Sequence, residues 1–405
     1  MRCRAPGSGV PLAEGDDPPG PAVCAAVCGA PSGGGAWARP RRRPEKRGHP
    51  RGRRAGLLSE HLGDLETDEA QVAFEAAVEA LLSMGGVSKT EPIVAFDRHP
   101  DYRPAQFAET LPARRRVPVQ RHRAYIAGVL AEREAPEARV VGVAFDGTGD
   151  GDDGAIWGGE FFVGSLTAGF RRAGHLRAAR LPGGDAAARF PLQALAGFVF
   201  EAPDVVQRLA RRRALPTRFW QALKFAEGNE QTVPATSAGR LFDAVAVLLG
   251  FDRAIPFEGQ ATIRLEHPAA RARSGKRRSS ERYPFEPRYP FPWRDGELDY
   301  RPLLAAMVDD LVSGRPAAEI ALAFHRSVAG TIAEAAAELF RREKAEAVVV
   351  AGGVFQNAVL LEALKAALEA HGVPLWVPRA VPPNDGGLSL GQAALAVTGG
   401  GAIRS

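Results

Sequence analysis

Cysteine is nearly absent from this 405-residue chain, and long hydrophobic runs are missing. The three cysteines, Cys3, Cys24 and Cys28, lie at the start, so the rest of the chain has no disulfide and no thiol nucleophile. Cys24 and Cys28 could form half a metal site, but no second Cys or His pair follows at ligand spacing. Because no run approaches roughly 18 apolar residues and no apolar signal core is present, we expect a cytoplasmic protein without membrane association.

Basic charge is scarce outside the N-terminus, although the whole chain has a net charge of +5. Residues 1–54 carry 11 Lys/Arg against 4 Asp/Glu, and the remaining residues carry 41 against 43. The globular part is therefore close to neutral and offers no electrostatic basis for binding nucleic acid.

The composition divides the chain into four parts. Residues 1–54 contain 10 Gly and 9 Pro without apolar periodicity, which predicts a disordered basic segment. That segment could bind RNA or a membrane, or it could be solvated chain or a misplaced start. We predict a helical segment over 55–91, a first lobe over 92–235 and a second lobe over 236–405.

Apolar periodicity predicts alternating strands and helices. The predicted helices are 68–84, a helix ending at 132, 192–226, 236–250, 317–344 and 357–371. The predicted strands are 93–96, 140–145, 155–163, 347–350 and 375–378, and 117–120 is a further short apolar stretch. Residues 278–300 could be an interaction loop or an extended connection. The β-loop-α-β order of the last 60 residues favours an α/β fold with parallel pairing.

Three glycine-rich loops follow predicted strands directly. They are Asp146-Gly-Thr-Gly149, Gly352-Gly-Val-Phe-Gln-Asn357 and Asn384-Asp-Gly-Gly387. Glycine lets backbone N–H groups approach a phosphate, and ligands of α/β sheets bind beyond the carboxyl ends of strands. Asp146 and Asp385 are expected to converge on one cleft and to hold a divalent cation that bridges phosphate oxygens. Alternatively, Asp385 only caps the following helix.

Several longer blocks are similar to those of one family. They are Val119-Gln-x-His-x-Ala124, Val143-Ala-Phe-Asp-Gly-Thr-Gly149, Ile156-Trp-Gly-Gly-Glu160, Leu181-Pro-Gly-Gly-Asp185, Ser237-x-Gly-Arg-Leu-Phe-Asp243, Phe257-Glu-Gly-Gln-Ala261, Gly352-Gly-Val-Phe-Gln-Asn357 and Pro383-Asn-Asp-Gly-Gly-Leu-Ser-Leu-Gly-Gln392. From about residue 55 to 397 the chain resembles the C-terminal transferase module of HypF carbamoyltransferases, and Asp97-x-His-Pro-Asp-Tyr102 resembles part of that family's entry segment. The resemblance implies a two-lobed, actin-like (sugar-kinase type) α/β fold similar to that of the threonylcarbamoyl transferase TsaD.

The resemblance also implies a reaction. In that family a YrdC-like domain makes carbamoyl adenylate from ATP, and the TsaD-like module passes the carbamoyl group to the C-terminal cysteine of HypE for [NiFe]-hydrogenase maturation. No region of this chain resembles the acylphosphatase or YrdC-like domains. The expected partners are therefore a HypE-like protein and a separate YrdC-like domain.

The resemblance implies roles for individual residues. Asp146 and Asp385 would act in catalysis and face the metal or phosphates, and His175 would be either catalytic or structural. The residues expected to bind carbamoyl adenylate or ATP are Gly147, Thr148, Gly149, Asp185, Gly239, Asp243, Gly352, Gly353 and Asn357, with Gly184 beside Asp185 in a substrate-side loop.

One departure concerns the metal. The family motif carries two metal-binding histidines four residues apart, and here these positions are Arg121 and Tyr125. A protonated guanidinium cannot ligate a cation, so Asp146 and Asp385 would suit magnesium better than the zinc or iron of the family. Arg121 could instead neutralise phosphate charge.

Three other functions stay open. A degenerate homologue could bind nucleotide or the partner without turnover. A sugar-kinase or chaperone-like ATPase could share the fold, because fold alone does not determine function. A nucleic-acid-binding role would rest on residues 1–54 alone.

Overall fold

This computed structural model describes residues 10–12, 22–24, 54–59, 62, 65, 67–84, 92–99, 101–183, 186–212, 214–228, 232–276 and 289–399. Most of the segment predicted to be disordered lies outside these ranges, and so do Cys3 and Cys28. Gly184 and Asp185 of the predicted substrate-side loop are also outside them, as are residues 278–288 of the 278–300 connection.

The strands of the described residues form three sheets. They are β1 (Val10–Leu12), β2 (Ala22–Cys24), β3 (Arg54–Gly56), β4 (Ile93–Asp97), β5 (Arg115–Val119), β6 (Val140–Asp150), β7 (Ile156–Ser165), β8 (Gly169–Leu176), β9 (Ala179–Pro182), β10 (Thr232–Ala235), β11 (Trp293–Arg294), β12 (Glu297–Leu298), β13 (Ala347–Ala351) and β14 (Leu375–Trp376). The largest sheet has nine strands in the order β11-β12-β8-β7-β6-β13-β14, with β10 joining β7 to β9. A parallel sheet has the order β2-β4-β5, and β1 pairs with β3.

Helices cover the sheets. They are α1 (Asp68–Met84), α2 (Arg103–Thr110), α3 (Arg121–Glu132), α4 (Ala186–Arg189), α5 (Pro191–Val199), α6 (Pro203–Arg212), α7 (Thr217–Glu227), α8 (Ala238–Leu248), α9 (Gln260–Lys276), α10 (Arg301–Val312), α11 (Ala317–Glu343), α12 (Ala358–Ala370) and α13 (Leu388–Thr398). The mixed α/β architecture and the parallel pairing of β13 with β14 are confirmed. No helix in the described ranges is both long and apolar enough to cross a bilayer.

Strand β6 is central because its two faces belong to different cores. Val141, Val143 and Phe145 lie in the core formed with α5, α8 and α11, whereas Val140 and Ala144 lie in the core formed with α3 and α13. This alternation is the period-two pattern of a strand buried on both faces. The sheet is therefore the middle layer of a three-layer core, with helices packed on both of its faces.

The predicted boundary between residues 235 and 236 falls inside the part of the chain that builds the large sheet. Strand β13 pairs in parallel with β6 from Ala347↔Val140 to Ala351↔Ala144. A strand from the predicted second lobe is thus hydrogen-bonded to one from the predicted first lobe, because sheet neighbours need not be close in sequence.

The predicted phosphate loop 146–149 is part of a strand. β6 continues to Asp150, and its register with β7 shifts between Phe145 and Gly149. Such a bulge re-aims side chains near the rim of a sheet, and glycine accommodates it readily. The bulge begins immediately before Asp146.

Candidate functional site

Asp146 and Asp385 meet at a single hydroxyl group. The Tyr125 hydroxyl lies 2.8 Å from Oδ2 of Asp146 and hydrogen-bonds Oδ1 of Asp385. The two aspartates are 239 positions apart in sequence, and Tyr125 on α3 lies between them. The predicted convergence of these carboxylates is therefore what the structure has.

Strand order explains why they meet. β6 and β13 pair in parallel up to Ala351↔Ala144, so Asp146 and Gly352 lie just beyond the end of the paired segment. The N–H of Gly352 donates to the carbonyl oxygen of Pro383 at 2.7 Å, which brings the turn before α13 to the same edge. The N–H of Gly353 then donates to Oδ1 of Asp146 at 3.1 Å.

Asp385 does not cap the last helix, which was the alternative role for this residue. The N-cap of α13 is Gly387, and no side chain caps it. The Asn384 side chain accepts from the N–H of Gly386 at 3.2 Å instead. This closes the turn and leaves Asp385 directed at α3.

Arg121 lies beside the two aspartates, between Asp385 and a third carboxylate. Its Nε donates to Oδ2 of Asp97 at 3.1 Å, and its Nη1 is 3.4 Å from both carboxylate oxygens of Asp385. The guanidinium also lies 5.2 Å from the centroid of the Tyr102 ring. Burial lowers the pKa of Arg121, but the neighbouring carboxylates outweigh that effect and raise it. Arg121 is therefore a permanent cation within the site.

The site perturbs the acids that meet in it. Burial raises the pKa of Asp385 to about 7, with Arg121 opposing the shift and the charge of Asp146 adding to it. Burial also raises the pKa of the Tyr125 hydroxyl, and the charges of both aspartates act in the same direction. Tyr125 therefore stays protonated, and Asp385 is the acid whose protonation responds near neutral pH.

Close backbone packing holds the bulge in place. A Cβ on Gly239 would lie 2.9 Å from the Cα of Gly147, so the start of α8 rests directly on the bulge. The Ser237 hydroxyl donates to the carbonyl oxygen of Gly147. A Cβ on Gly149 would lie 2.6 Å from Cε1 of His122. Thr148, between these glycines, is half-buried.

Asp243 is enclosed beneath this segment. It is fully buried, with Oδ2 2.9 Å from Nε of Arg240, and burial raises its pKa to about 6. Arg240 Nη2 also reaches Glu258 at 2.9 Å, and Glu258 lies against Gly147. The carboxylate of Asp243 lies inside the protein behind Arg240. Its predicted contact with nucleotide stays a prediction.

Asn357 is placed near the site but its side chain is engaged elsewhere. Its Oδ1 accepts from the N–H of Leu360 at 2.9 Å and caps α12, while its Nδ2 lies 2.9 Å from Nε2 of His325. Both partners are internal, and Asn357 is buried. The structure therefore gives Asn357 a positioning role behind the Gly352–Gly353 turn, and its predicted contact with nucleotide stays a prediction.

His175 lies on β8, between β7 and β12. Its Nδ1 is 2.9 Å from the carbonyl oxygen of Leu176, and its ring is half-buried. The backbone N–H of His175 donates to the carbonyl oxygen of Gly296 at 2.8 Å. The structural alternative thus has a visible basis, and a catalytic role stays a prediction.

A cavity of about 370 Å³ adjoins the predicted substrate-side loop. Pro182 and Gly183, which precede Gly184 and Asp185, line it together with Phe190, Phe225 and Arg253. Asp146 and Asp385 are not among its lining residues. The cavity and the carboxylate cluster are therefore separate features of the described structure.

Sequence reasoning missed the partners of the cluster. Asp97 and Tyr102 were visible only as part of a segment similar to the family, Asp97-x-His-Pro-Asp-Tyr102. Arg240 and Glu258 lie in two further matched blocks. Their positions next to glycines in those blocks were the available signal, but their pairing depends on the fold.

The donors around Asp146 and Asp385 do not fit a tightly held divalent cation. Within the described residues, no group of three or more His, Cys, Asp or Glu side chains is arranged to hold a metal. Arg121 and Tyr125 occupy the neighbourhood of the two carboxylates, and a guanidinium repels a cation. The predicted ligand pair is brought together, but with a built-in cation beside it.

Two family models and several curated proteins match this chain. Residues 142–392 match the family model described as carbamoyltransferase, Kae1-like domain, second subdomain, and residues 51–132 match the HypF Kae1-like domain. Carbamoyltransferase HypF of Synechocystis sp. is 36% identical over 359 residues, which cover 83% of this chain and 44% of that protein. A carbamoyltransferase HypF homolog of Cupriavidus necator is 36% identical over 345 residues, covering 82% of this chain and 84% of that protein.

Two solved structures share the fold. Full-length HypF in a phosphate- and nucleotide-bound form is 31% identical, with a TM-score of 0.74 over 84% of this chain and 43% of that one. HypF of T. kodakarensis is 26% identical, with a TM-score of 0.71 over 85% of this chain and 45% of that one. The chain thus spans less than half the length of most curated relatives it matches, and its two-lobed, actin-like α/β fold is confirmed.

Proposed function

The chain belongs to the HypF carbamoyltransferase family, and from that premise we propose that it transfers a carbamoyl group from carbamoyl adenylate to a cysteine thiol. The acceptor we propose is the C-terminal cysteine of a HypE-like partner in [NiFe]-hydrogenase maturation. The observation that carries the proposal is the meeting of Asp146 and Asp385 at Tyr125, beside glycine-lined backbone from two parts of the chain. The cytoplasmic location stays a prediction.

The proposed reaction is a substitution at the carbamoyl carbon. The thiolate sulfur of the partner bonds to that carbon, and the bond from carbon to the phosphate oxygen breaks. AMP leaves with the electron pair, and the thiol proton passes to solvent or a base. A partner-borne nucleophile agrees with a matched region, residues 51–392, that contains no cysteine.

This chain would contribute positioning and charge rather than a covalent intermediate. We propose that the backbone around Gly147 and Gly149 faces the adenylate phosphate, with Gly353, whose N–H donates to Asp146, lining the same site. Gly147 and Gly353 are half-buried, and space for a Cβ is lacking at all three. Asp385, with a pKa near 7, could exchange a proton as the thiol reacts.

A second candidate is a homologue that binds nucleotide or partner without turnover. The observation in its favour is that Arg121 and Tyr125 already bind Asp385, leaving the carboxylate pair without the histidines of the family motif. Converting both residues to histidine separates the candidates. If the wild type carbamoylates the partner, the second candidate is wrong. If only the R121H/Y125H variant does, the first is wrong for this chain.

The test is carbamoylation of an intact HypE-like partner, read by mass spectrometry as the gain of one carbamoyl group. The reaction contains this chain, ATP, carbamoyl phosphate, and separately supplied acylphosphatase and YrdC-type domains, which release the phosphate of carbamoyl phosphate and then join the carbamate to AMP. We expect modification of the C-terminal cysteine only when this chain and the supplied domains are all present. A partner with that cysteine changed to serine should not be modified. Absence of product, when a full-length relative modifies the same partner, contradicts the proposal.

A further inference from the structure

Two carboxylates that converge at a sheet edge are a common way to hold a divalent cation. Here all four of their oxygens have a partner within the protein, and the partner of Asp385 Oδ2 is Nη1 of Arg121 at 3.4 Å. Oδ1 of Asp146 accepts from Gly353, Oδ2 of Asp146 contacts the Tyr125 hydroxyl, and Oδ1 of Asp385 accepts from the same hydroxyl. The Tyr125 hydroxyl carries a single proton, which it shares between the two carboxylates, so the side chain links them as a bound metal ion would.

Arg121 supplies the positive charge. Its Nη1 lies 3.4 Å from both oxygens of Asp385, and its Nε lies 3.1 Å from Asp97. The side chains of Arg121, Asp97 and Asp385 are 8%, 2% and 10% exposed. In such surroundings a charge is screened little by water, so a second cation beside the guanidinium would meet strong repulsion.

We propose that Arg121 and Tyr125 together replace a divalent cation in this site, so that the chain holds Asp146 and Asp385 without metal. The guanidinium takes over charge neutralisation, and the hydroxyl takes over the bridge between the two carboxylates. The replacement also keeps the cross-linking that a metal provides. It connects β4 through Asp97, α3 through Arg121 and Tyr125, β6 through Asp146 and the turn before α13 through Asp385.

Residue spacing gives the inference a sharp test. Arg121 and Tyr125 are four residues apart on α3, so both side chains lie on the same helix face toward the carboxylates. Histidine at both positions would create two imidazoles and two carboxylates, a donor set that zinc binds tetrahedrally. A metal site should therefore appear only when both Arg121 and Tyr125 are changed to histidine.

The experiment measures bound zinc. Wild type, R121H/Y125H and D385N proteins are incubated with zinc, desalted and analysed for metal per chain, and their melting temperatures are compared with and without EDTA. We expect the wild type to bind no zinc that is lost in D385N. We also expect EDTA to leave the wild-type melting temperature unchanged. We expect about one additional zinc per chain in R121H/Y125H, with a melting temperature that EDTA lowers.

Arg208 provides the matched control. It also pairs with two aspartates, at 2.8 Å from Asp204 and in contact with Asp309, but on the exposed surface. The R208H variant should gain no zinc, because its carboxylates are solvated and not held together. A gain equal to that of R121H/Y125H would overturn the proposal.

The wild-type measurement decides the matter even if the double variant does not fold. About one zinc per wild-type chain that disappears in D385N overturns the proposal, whereas zinc that persists in D385N belongs to another part of the chain. A double variant that folds but binds no more zinc than the wild type contradicts the claim that these two side chains displace the metal. None of these readouts depends on carbamoyl transfer, so this inference and the proposed function fail separately.

Discussion

At the scale of single residues, Arg121 is bound between two buried aspartates of the site, Asp97 and Asp385. Removing it leaves Asp97 and Asp385 without their counter-ion. Breaking a buried pair by removing one partner costs about 3–5 kcal/mol. We expect Arg121→Met to lower the free energy of unfolding by that order, measured by urea denaturation at neutral pH.

The exposed Arg208 is again the comparison. Its partners Asp204 and Asp309 are 72% and 62% exposed, and surface pairs contribute about 0–1 kcal/mol. Arg208→Met should therefore change stability little. Equal losses in the two variants would show that the Arg121 pair is not buried as described.

Asp385 gives the site a pH dependence of defined sign. Burial raises its pKa in the folded protein to about 7, above its ordinary value of 3.8. A raised pKa means that the folded state binds the proton more tightly, so this stabilisation is complete below the ordinary pKa and is lost as pH rises through about 7. Wild-type stability should therefore decline more steeply than that of D385N between about pH 4 and pH 7.

This comparison uses slopes, because D385N also removes a partner of Arg121 and shifts stability at every pH. Asp243, whose pKa burial also raises, is present in both proteins and cancels. Urea denaturation at several pH values supplies the measurement. Parallel pH profiles for the two proteins would contradict the protonation state assigned to Asp385.

At the scale of elements, contact between α3 and α13 positions Tyr125 against Asp385. A Cβ at Gly391 on α13 would overlap the carbonyl oxygen of Ala124, whereas a Cβ at Gly128 on α3 would lie 3.5 Å from the nearest atom. We expect Gly391→Ala to destabilise the protein by about 1–3 kcal/mol through overpacking. Gly128→Ala should be neutral or stabilise by up to about 1 kcal/mol, because alanine favours helix.

The two glycine variants face the same helix contact, so they control for each other. Free energies of unfolding from urea denaturation supply the measurement. Similar effects from the two substitutions would contradict the close approach of α13 to Ala124.

Apolar periodicity predicted the long elements well. Helix α1 has the predicted bounds, and α11 differs from its prediction by one residue. The predicted helix over 192–226 is instead three helices, because Pro203 begins α6 and Pro216 precedes α7. Helix α9 was not predicted, and it contains Pro268, a residue that normally opposes a helix interior. Local sequence therefore failed where proline or tertiary packing decided the outcome.

At the scale of the whole molecule, the convergence of Asp146 and Asp385 followed from placing glycine turns at strand ends. The pairing of Arg121 with Asp97 and Asp385 did not follow, since these residues are 24 and 264 positions apart. Nothing local in a sequence fixes a contact between distant segments. The departure at Arg121 and Tyr125 was visible, but its meaning needed the fold.

Calorimetric titration with AMP, the leaving group of the proposed reaction, tests the central claim most directly. A valine at Gly353 would place its Cβ 2.9 Å from Oδ1 of Asp146, inside the site, whereas Gly228 is an exposed glycine with ordinary space around it. We predict about one AMP per wild-type chain, at least about tenfold weaker binding by G353V, which corresponds to about 1.4 kcal/mol, and unchanged binding by G228V. No AMP binding by the intact wild type, or equal affinity in G353V and wild type, would contradict a nucleotide site between Asp146 and Asp385.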